Sequence, residues 1–167
     1  AASDVYKRQI NMQFDNANKP IAYTFFSGAG GLHLGLEQAG FNVILSTDIG
    51  IHQENTHKRN WPNCPFLRED IRQLDAQELL KIAGGRRPNL IAGGPPCQGF
   101  STLGDKLSSD PRNDLFSSYL KLAKSLEPEF ILIENVKALT TMYGGRFSDW
   151  IKAELLNLGY EVTCKVL

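Results

Sequence analysis

Two kinds of apolar pattern alternate along the chain. Short runs rich in β-branched and aromatic residues come at Ile21 to Phe26, Asn42 to Thr47, Phe66-Leu67, Asn89 to Ala92 and Phe130 to Ile133. Such compact runs, bounded by glycine, proline or polar residues, read as strands. Between them lie stretches with helical spacing. Leu32, Leu34, Leu36 and Ala39 form one, closed by Gly40, a residue type favoured just past a helix end. Gly50 to Arg59 is a polar helix stopped by Trp61-Pro62, and Gln73 to Ala83 is a helix ended by Gly84-Gly85. Leu115, Tyr119, Leu122, Ala123 and Leu126 place a helix over Asp114 to Leu126, and Phe147 to Leu158 is another, closed by Gly159. Tyr160 to Leu167 starts one more strand.

Strands alternating with helices predict an α/β fold, with a mostly parallel sheet and helices on both faces. Ligands of such sheets bind beyond the C-terminal strand ends. Residues 1–19 are polar and lack periodicity, which predicts a disordered or non-native leader. Asp4 to Gln9 resembles a translated sequencing adapter, so the chain is expected to be cut at either end. Residues 20–167 form the single predicted domain.

Composition narrows the function classes. Apolar residues make up 42% and charged residues 22% of 167 residues, enough for one globular domain with a core. No apolar stretch approaches the roughly 20 residues of a membrane span, and the N-terminal segment has no signal-peptide core. Lys plus Arg count 18 and Asp plus Glu count 18. A free-standing DNA binder usually carries a basic excess. Balance here means no nucleic-acid partner, or one held by residues outside this chain. Cys64, Cys97 and Cys164 are far apart and suggest neither a disulfide framework nor metal-ligand spacing, which fits a reducing compartment.

Glycines cluster after the first strand, in Ser27-Gly28-Ala29-Gly30-Gly31. They let backbone approach a ligand, and the next helix presents N–H groups to an anion. Asp48 ends the second strand, 20 residues after Gly28, where an acid can accept from ribose hydroxyls. Asp70 follows the third strand. Helix capping is the competing reading of both acids. The glycines do not give G-x-G-x-x-G, which argues for an adenosine cofactor other than a dinucleotide.

Cys97 lies in Gly93-Gly94-Pro95-Pro96-Cys97-Gln98, just past the fourth strand. A rigid loop suits a nucleophile that must attack with repeatable geometry. A buried structural cysteine is the competing reading. A thiol near pKa 8.5 is only about a few per cent thiolate at neutral pH, so full ionisation yields about 30-fold, or about 2 kcal/mol. Enzymes supply at least about 8 kcal/mol, so the substrate must be activated as well. Glu134, ending the buried run Phe130 to Ile133, is the candidate. Partial desolvation there favours a protonated carboxyl able to donate to a ring nitrogen; capping or an ion pair is the alternative. Arg112, Ser101 and Thr102 could contact phosphate. His33, His52 and His57 read as surface or helix-face residues, and Cys64 and Cys164 as packing.

Phe26-Ser27-Gly28-Ala29-Gly30-Gly31, then Asp48, then Gly94-Pro95-Pro96-Cys97-Gln98-Gly99-Phe100-Ser101, then Glu134-Asn135-Val136 resemble the DNA (cytosine-5) methyltransferases, in order and approximate spacing. The resemblance covers Ile21 to Leu167. It implies a Rossmann-like fold and S-adenosyl-L-methionine as cofactor. The methionine part would lie against Phe26 to Gly31 and Leu32. Asp48 would hold the ribose, Ile49 the adenine face and Asp70 the adenine amino group, with Ile71, Pro96 and Leu115 completing the pocket. Cys97 would attack carbon 6 of a cytosine flipped out of duplex DNA, and Glu134 would hydrogen-bond ring nitrogen 3 and the exocyclic amine. Pro95, Gln98, Ser101, Arg112 and Asn135 would line the substrate side. No metal and no membrane are implied. A monomer in the bacterial cytoplasm, at the nucleoid, fits the resemblance, within a restriction-modification system or acting alone.

Two departures stand out. The family often has an acid where Thr24 stands. The chain also stops before the family's Gln-x-Arg-x-Arg motif, target-recognition domain and final helix, so weak or absent activity is expected of it alone. A tRNA cytosine-5 methyltransferase and a non-catalytic family member that only binds a partner are the alternatives. A nucleotide-binding oxidoreductase is a distant third.

Overall fold

The structure is a computed structural model and describes residues 19–96 and 113–167. The predicted leader, apart from Lys19, lies outside them. Strands form at Ile21–Phe25 (β1), Asn42–Asp48 (β2), Phe66–Arg68 (β3), Leu90–Gly93 (β4) and Phe130–Ile133 (β5). Helices form at Gly31–Gln38 (α1), Ile51–Asn60 (α2), Ala76–Ile82 (α3), Asn113–Leu126 (α4) and Arg146–Asn157 (α5). The strands make one five-stranded sheet in the order β3-β2-β1-β4-β5, and every pairing is parallel. The predicted alternation is thus the observed one.

Alternation along each strand divides the core between two faces. Tyr23, Phe25, Leu45 and Ile91 point to one face, where Leu79 and Leu80 of α3 and Leu122, Ala123 and Leu126 of α4 cover them. Ala22, Val43, Leu90 and Ala92 belong to the other face, against Leu32 and Leu36 of α1. Helix α5 extends the first layer, packing Phe147, Ile151 and Leu155 on Phe116 and Leu120 of α4. Phe116 and Phe147 meet edge to face with centroids 5.1 Å apart. Among the described residues no helix is long and apolar enough to cross a membrane.

Three expectations need correction. The helix read over Gln73 to Ala83 is broken. A short 3-10 turn occupies Ile71–Gln73, and α3 starts afresh at Ala76 because the Asp75 carboxylate accepts from the amides of Gln77 and Glu78 at 2.9 and 3.1 Å. Strand β5 is not a buried run. It pairs on one side with β4, and Phe130 and Leu132 on its second face are 61% and 42% exposed. Residues 160–167 join no ladder. Tyr160 and Val162 pack beside the α4–α5 cluster instead, and the Tyr160 hydroxyl donates to the Pro128 carbonyl at 2.6 Å.

The order of strands reverses between β1 and β4, which are neighbours in space but not in sequence. Phe25 sits opposite Gly93 in this pairing. Helix α1 after β1 and helix α4 after β4 lie on opposite faces, and the C-terminal ends of such a strand pair are the usual ligand position in these sheets.

Candidate active site

The loop after β1 is shaped by backbone that side chains seldom tolerate. Phe26, Gly28 and Gly30 have φ of 51°, 54° and 94°. A Cβ on Gly30 would overlap the ring of Trp61, so only glycine lets the loop settle on that indole. Ser27 is buried and turns inward. Its hydroxyl donates to the Thr24 carbonyl at 3.0 Å and accepts from the Thr47 amide at 3.2 Å. Thr24 also turns inward, 2.9 Å from the Ser27 hydroxyl and 2.7 Å from that of Ser46. The start of the loop is thus pinned through hydroxyls, leaving Ala29 and Gly31 exposed at its tip.

Asp48 joins this loop to the end of β2. Its Oδ2 accepts from the Gly28 amide at 2.9 Å and its Oδ1 from the Gly50 amide at 3.0 Å. Each carboxylate oxygen keeps a further lone pair for a ligand hydroxyl. Helix α2 receives no side-chain cap, so the capping reading of Asp48 fails. Ile49 beside it is 65% exposed, an apolar surface just past β2. Asp70 does cap: its carboxylate accepts from the Arg72 amide at 2.9 Å and pairs with the Arg72 guanidinium. Those bonds hold its pKa below the usual carboxylate range. Ile71 is buried in one core layer with Leu115 half-buried against that layer, and Leu32 is half-buried against the opposite one.

The second half of the site comes from the ends of β4 and β5. The Glu134 amide donates to the Gly93 carbonyl at 3.0 Å, which continues the ladder past the strand. The Glu134 carboxyl then lies over the next loop, and a Cβ on Gly94 would stand 2.9 Å from its Oε2. Asn135 Nδ2 donates to the buried Pro95 carbonyl at 2.7 Å, while its Oδ1 accepts from the Val136 amide at 2.9 Å. Glu134 is exposed, so the partial desolvation expected for it is not present in the chain by itself. Pro96 is exposed at the last described position of this loop. Cys97, Gln98, Ser101, Thr102 and Arg112 lie outside the described residues.

These loops all follow the C-terminal ends of one parallel sheet's strands, with the Asp48 carboxylate after β2 and a proline loop under the Glu134 carboxylate after β4 and β5. The model of the C-5 cytosine-specific DNA methylase family matches residues 23–167. The chain belongs to that family. Among curated proteins it is similar to the type II methyltransferase M1.HphI of Haemophilus parahaemolyticus, 40% identical over 145 residues that cover 85% of this chain and 39% of the relative. It is similar also to M.XorII of Xanthomonas oryzae, 38% identical over 86% of this chain and 34% of the relative. Among solved structures it matches a putative DNA modification methyltransferase encoded within an E. coli prophage, with TM-score 0.69, 35% identity, and coverage of 84% of this chain and 37% of that one. Spodoptera frugiperda DNMT2 matches with TM-score 0.64 and 26% identity, over 84% of this chain and 41% of that one. The chain thus spans well under half the length of these methylases.

One cluster in this methylase domain escaped the sequence. His33 and His57 are fully buried, contrary to the surface reading, and His33 Nδ1 lies 3.0 Å from His57 Nε2. Trp61 stacks on His33 at a centroid distance of 4.1 Å. Burial pulls both imidazole pKa values down, that of His57 to about 4. Burial also pushes the Cys64 thiol up to about 11. Cys164, read as packing, is exposed. His33 lies among the leucines of α1 and His57 in the polar α2, and only the tertiary fold joins them.

Proposed function

We propose that this chain carries the cofactor-binding and catalytic loops of an enzyme that methylates carbon 5 of cytosine in duplex DNA. The observation that carries the reading is the clamp at the ends of β4 and β5. It holds Glu134 above the Gly94-Pro95-Pro96 loop from which Cys97 follows directly.

The residues present fit S-adenosyl-L-methionine. The Gly28 and Gly50 amides fix the Asp48 carboxylate with lone pairs to spare for ribose hydroxyls, and Ile49 offers an exposed apolar side chain to the adenine. The loop from Phe26 to Gly31 would hold the methionine part, and Asp70 would meet the adenine amino group with one carboxylate face beyond Arg72. When bound, the cofactor supplies an electrophilic methyl group on a sulfonium centre.

The chain's own work is to make the base a nucleophile. The Cys97 thiolate adds to carbon 6 of the cytosine, forming a carbon–sulfur bond and pushing an electron pair toward carbon 5. Glu134, as the acid, donates to ring nitrogen 3 and accepts from the exocyclic amine, which withdraws charge from the ring and selects cytosine. The base itself supplies the desolvation that Glu134 lacks in the free chain. After alkylation, loss of the carbon 5 proton returns the electron pair, breaks the carbon–sulfur bond and frees Cys97. The target base must leave the helix stack, at a cost of about a few kcal/mol.

Labelled methyl incorporation tests the reading. An enzyme of the relatives' length that carries this chain is expected to label duplex DNA and not tRNA, and the isolated 167-residue chain to label DNA weakly or not at all. Label confined to tRNA would move the substrate to the RNA class. Cofactor binding with no label in either would favour a binding module.

A further inference from the structure

The buried imidazole pair beneath the cofactor loop has a third member. Cys64, in the turn before β3, places its sulfur so that one ligand atom each from His33, His57 and Cys64 all lie within 4.8 Å of one another. Neither imidazole is conventionally satisfied. His33 Nε2 and His57 Nδ1 have no hydrogen-bond partner among the described residues, and Glu37 Oε1 stands 3.5 Å from His33 Nε2. Whichever ring donates across the 3.0 Å contact, a buried ring nitrogen is left over. A cation between the two facing nitrogens would leave each ring's proton on its outer nitrogen.

We propose that His33 Nδ1, His57 Nε2 and Cys64 Sγ bind a divalent cation of the zinc class. With both of these nitrogens given to the cation, His33 must carry its proton on Nε2, facing the Glu37 carboxylate. That is the carboxylate–histidine–metal arrangement that orients metal-bound imidazoles elsewhere. Zinc distances of about 2.0–2.1 Å to nitrogen and about 2.3 Å to sulfur put ligand atoms about 3.3–3.6 Å apart, so the sulfur needs to close by about 1 Å. Cys64 is only partly buried, which gives the ion an entry path. The Ser46 hydroxyl, 3.2 Å from His33 Nδ1, stands beside the fourth position. Binding displaces the thiol proton to solvent, leaving a thiolate as the ligand.

The site would brace the cofactor loop. Ser46 lies 2.7 Å from the Thr24 hydroxyl, Thr24 lies 2.9 Å from the Ser27 hydroxyl, and Trp61 lies between His33 and Gly30. A cation that fixes His33 thus fixes the floor under Gly28 and Gly30. The inference stands apart from the proposed methyl transfer.

Cobalt(II) titration of the purified chain, with a non-chelating reductant, tests it. The expected result is stoichiometric binding with a thiolate-to-cobalt charge-transfer band and tetrahedral d–d bands, both displaced by zinc. Cys64→Ser should abolish the charge-transfer band, and Cys164→Ser should leave it. Glu37→Gln should weaken binding by about 10–100-fold. Zinc should raise the thermal midpoint of the parent chain and not that of Cys64→Ser. No cobalt band and no zinc-dependent shift would leave only a hydrogen-bonded imidazole pair and overturn the proposal. A band that survives Cys64→Ser, or that disappears with Cys164→Ser, would overturn it as well.

Discussion

Asn135 Nδ2 donates to the Pro95 carbonyl across 2.7 Å, and this bond ties the end of β5 to the loop after β4. The residues that lead into the proposed nucleophile are thus tied to the residue after the proposed acid. Asn135→Ala removes that tie. It also removes the acceptor of the Val136 amide, so the expected loss of stability is about 1–3 kcal/mol, at about 0.5–1.5 for each neutral hydrogen bond. The loss in base-adduct formation is expected to exceed it, because the cysteine loop drifts relative to Glu134. Urea midpoints and adduct yields measured together decide this. Equal losses in both would show that Asn135 supports the fold and not the site.

Gly94→Ala sets a methyl 2.9 Å from Glu134 Oε2 and pushes the carboxyl aside. A displacement near 1 Å costs about a hundredfold in rate when it misplaces a reacting group. Methyl transfer is expected to fall by about that factor with cofactor affinity unchanged. Unaltered turnover would mean that the Glu134 position seen here is not the working one.

Asp48→Ala removes an anion that holds the Gly28 and Gly50 amides. Hydrogen bonds to charged groups contribute about 1.5–3 kcal/mol each before allowance for exposure, so the unfolding midpoint should fall. Cofactor affinity should fall more than about tenfold, since 1.4 kcal/mol is a factor of ten. Calorimetric titration with S-adenosylmethionine reads it, and a folded Asp48→Ala chain that binds as tightly as the parent would remove Asp48 from the ribose.

Burial raises the Tyr23 phenol to about 12, and the Tyr119 phenol is raised as well. An unfolded tyrosine ionises near pH 10, so between these values the unfolded chain releases protons that the folded chain keeps. Stability is therefore full below about pH 10 and declines as pH rises toward 12. Urea midpoints taken from about pH 8 to about pH 11 should drop, with a shallower drop for Tyr23→Phe, which leaves Tyr119 in place. A flat profile in the parent would contradict the burial argument.

Most of the architecture was legible because the chain obeys two simple periods. The runs at Ile21, Asn42, Leu90 and Phe130 became neighbouring parallel strands, and the glycines after Phe26 and before Cys97 mark turns that need unusual backbone or close approach. Asp48 stood out through its distance from Gly28 as an acid for ribose hydroxyls, and the Gly28 amide that it accepts from was not part of that reading. Other features were not read, one through a local cap and two through long-range packing. Asp75 breaks the predicted helix by competing for amides that Gln73 would otherwise have led. The exposed side of Phe130 and Leu132 depends on what packs beside β5, which a run of four apolar residues cannot state. His33 sits among the leucines of α1 and His57 in the polar α2, and only the packing of α1 on β2 and of α2 on β3 buries them together.

Trapping of the covalent adduct tests the central claim most directly. In an enzyme of the relatives' length carrying this chain, duplex DNA with 5-fluorocytosine at the target should yield a complex that survives denaturing electrophoresis when S-adenosylmethionine is present. Cys97→Ser should abolish that complex, and Glu134→Gln should slow its formation. An undiminished complex with Cys97→Ser would contradict the account.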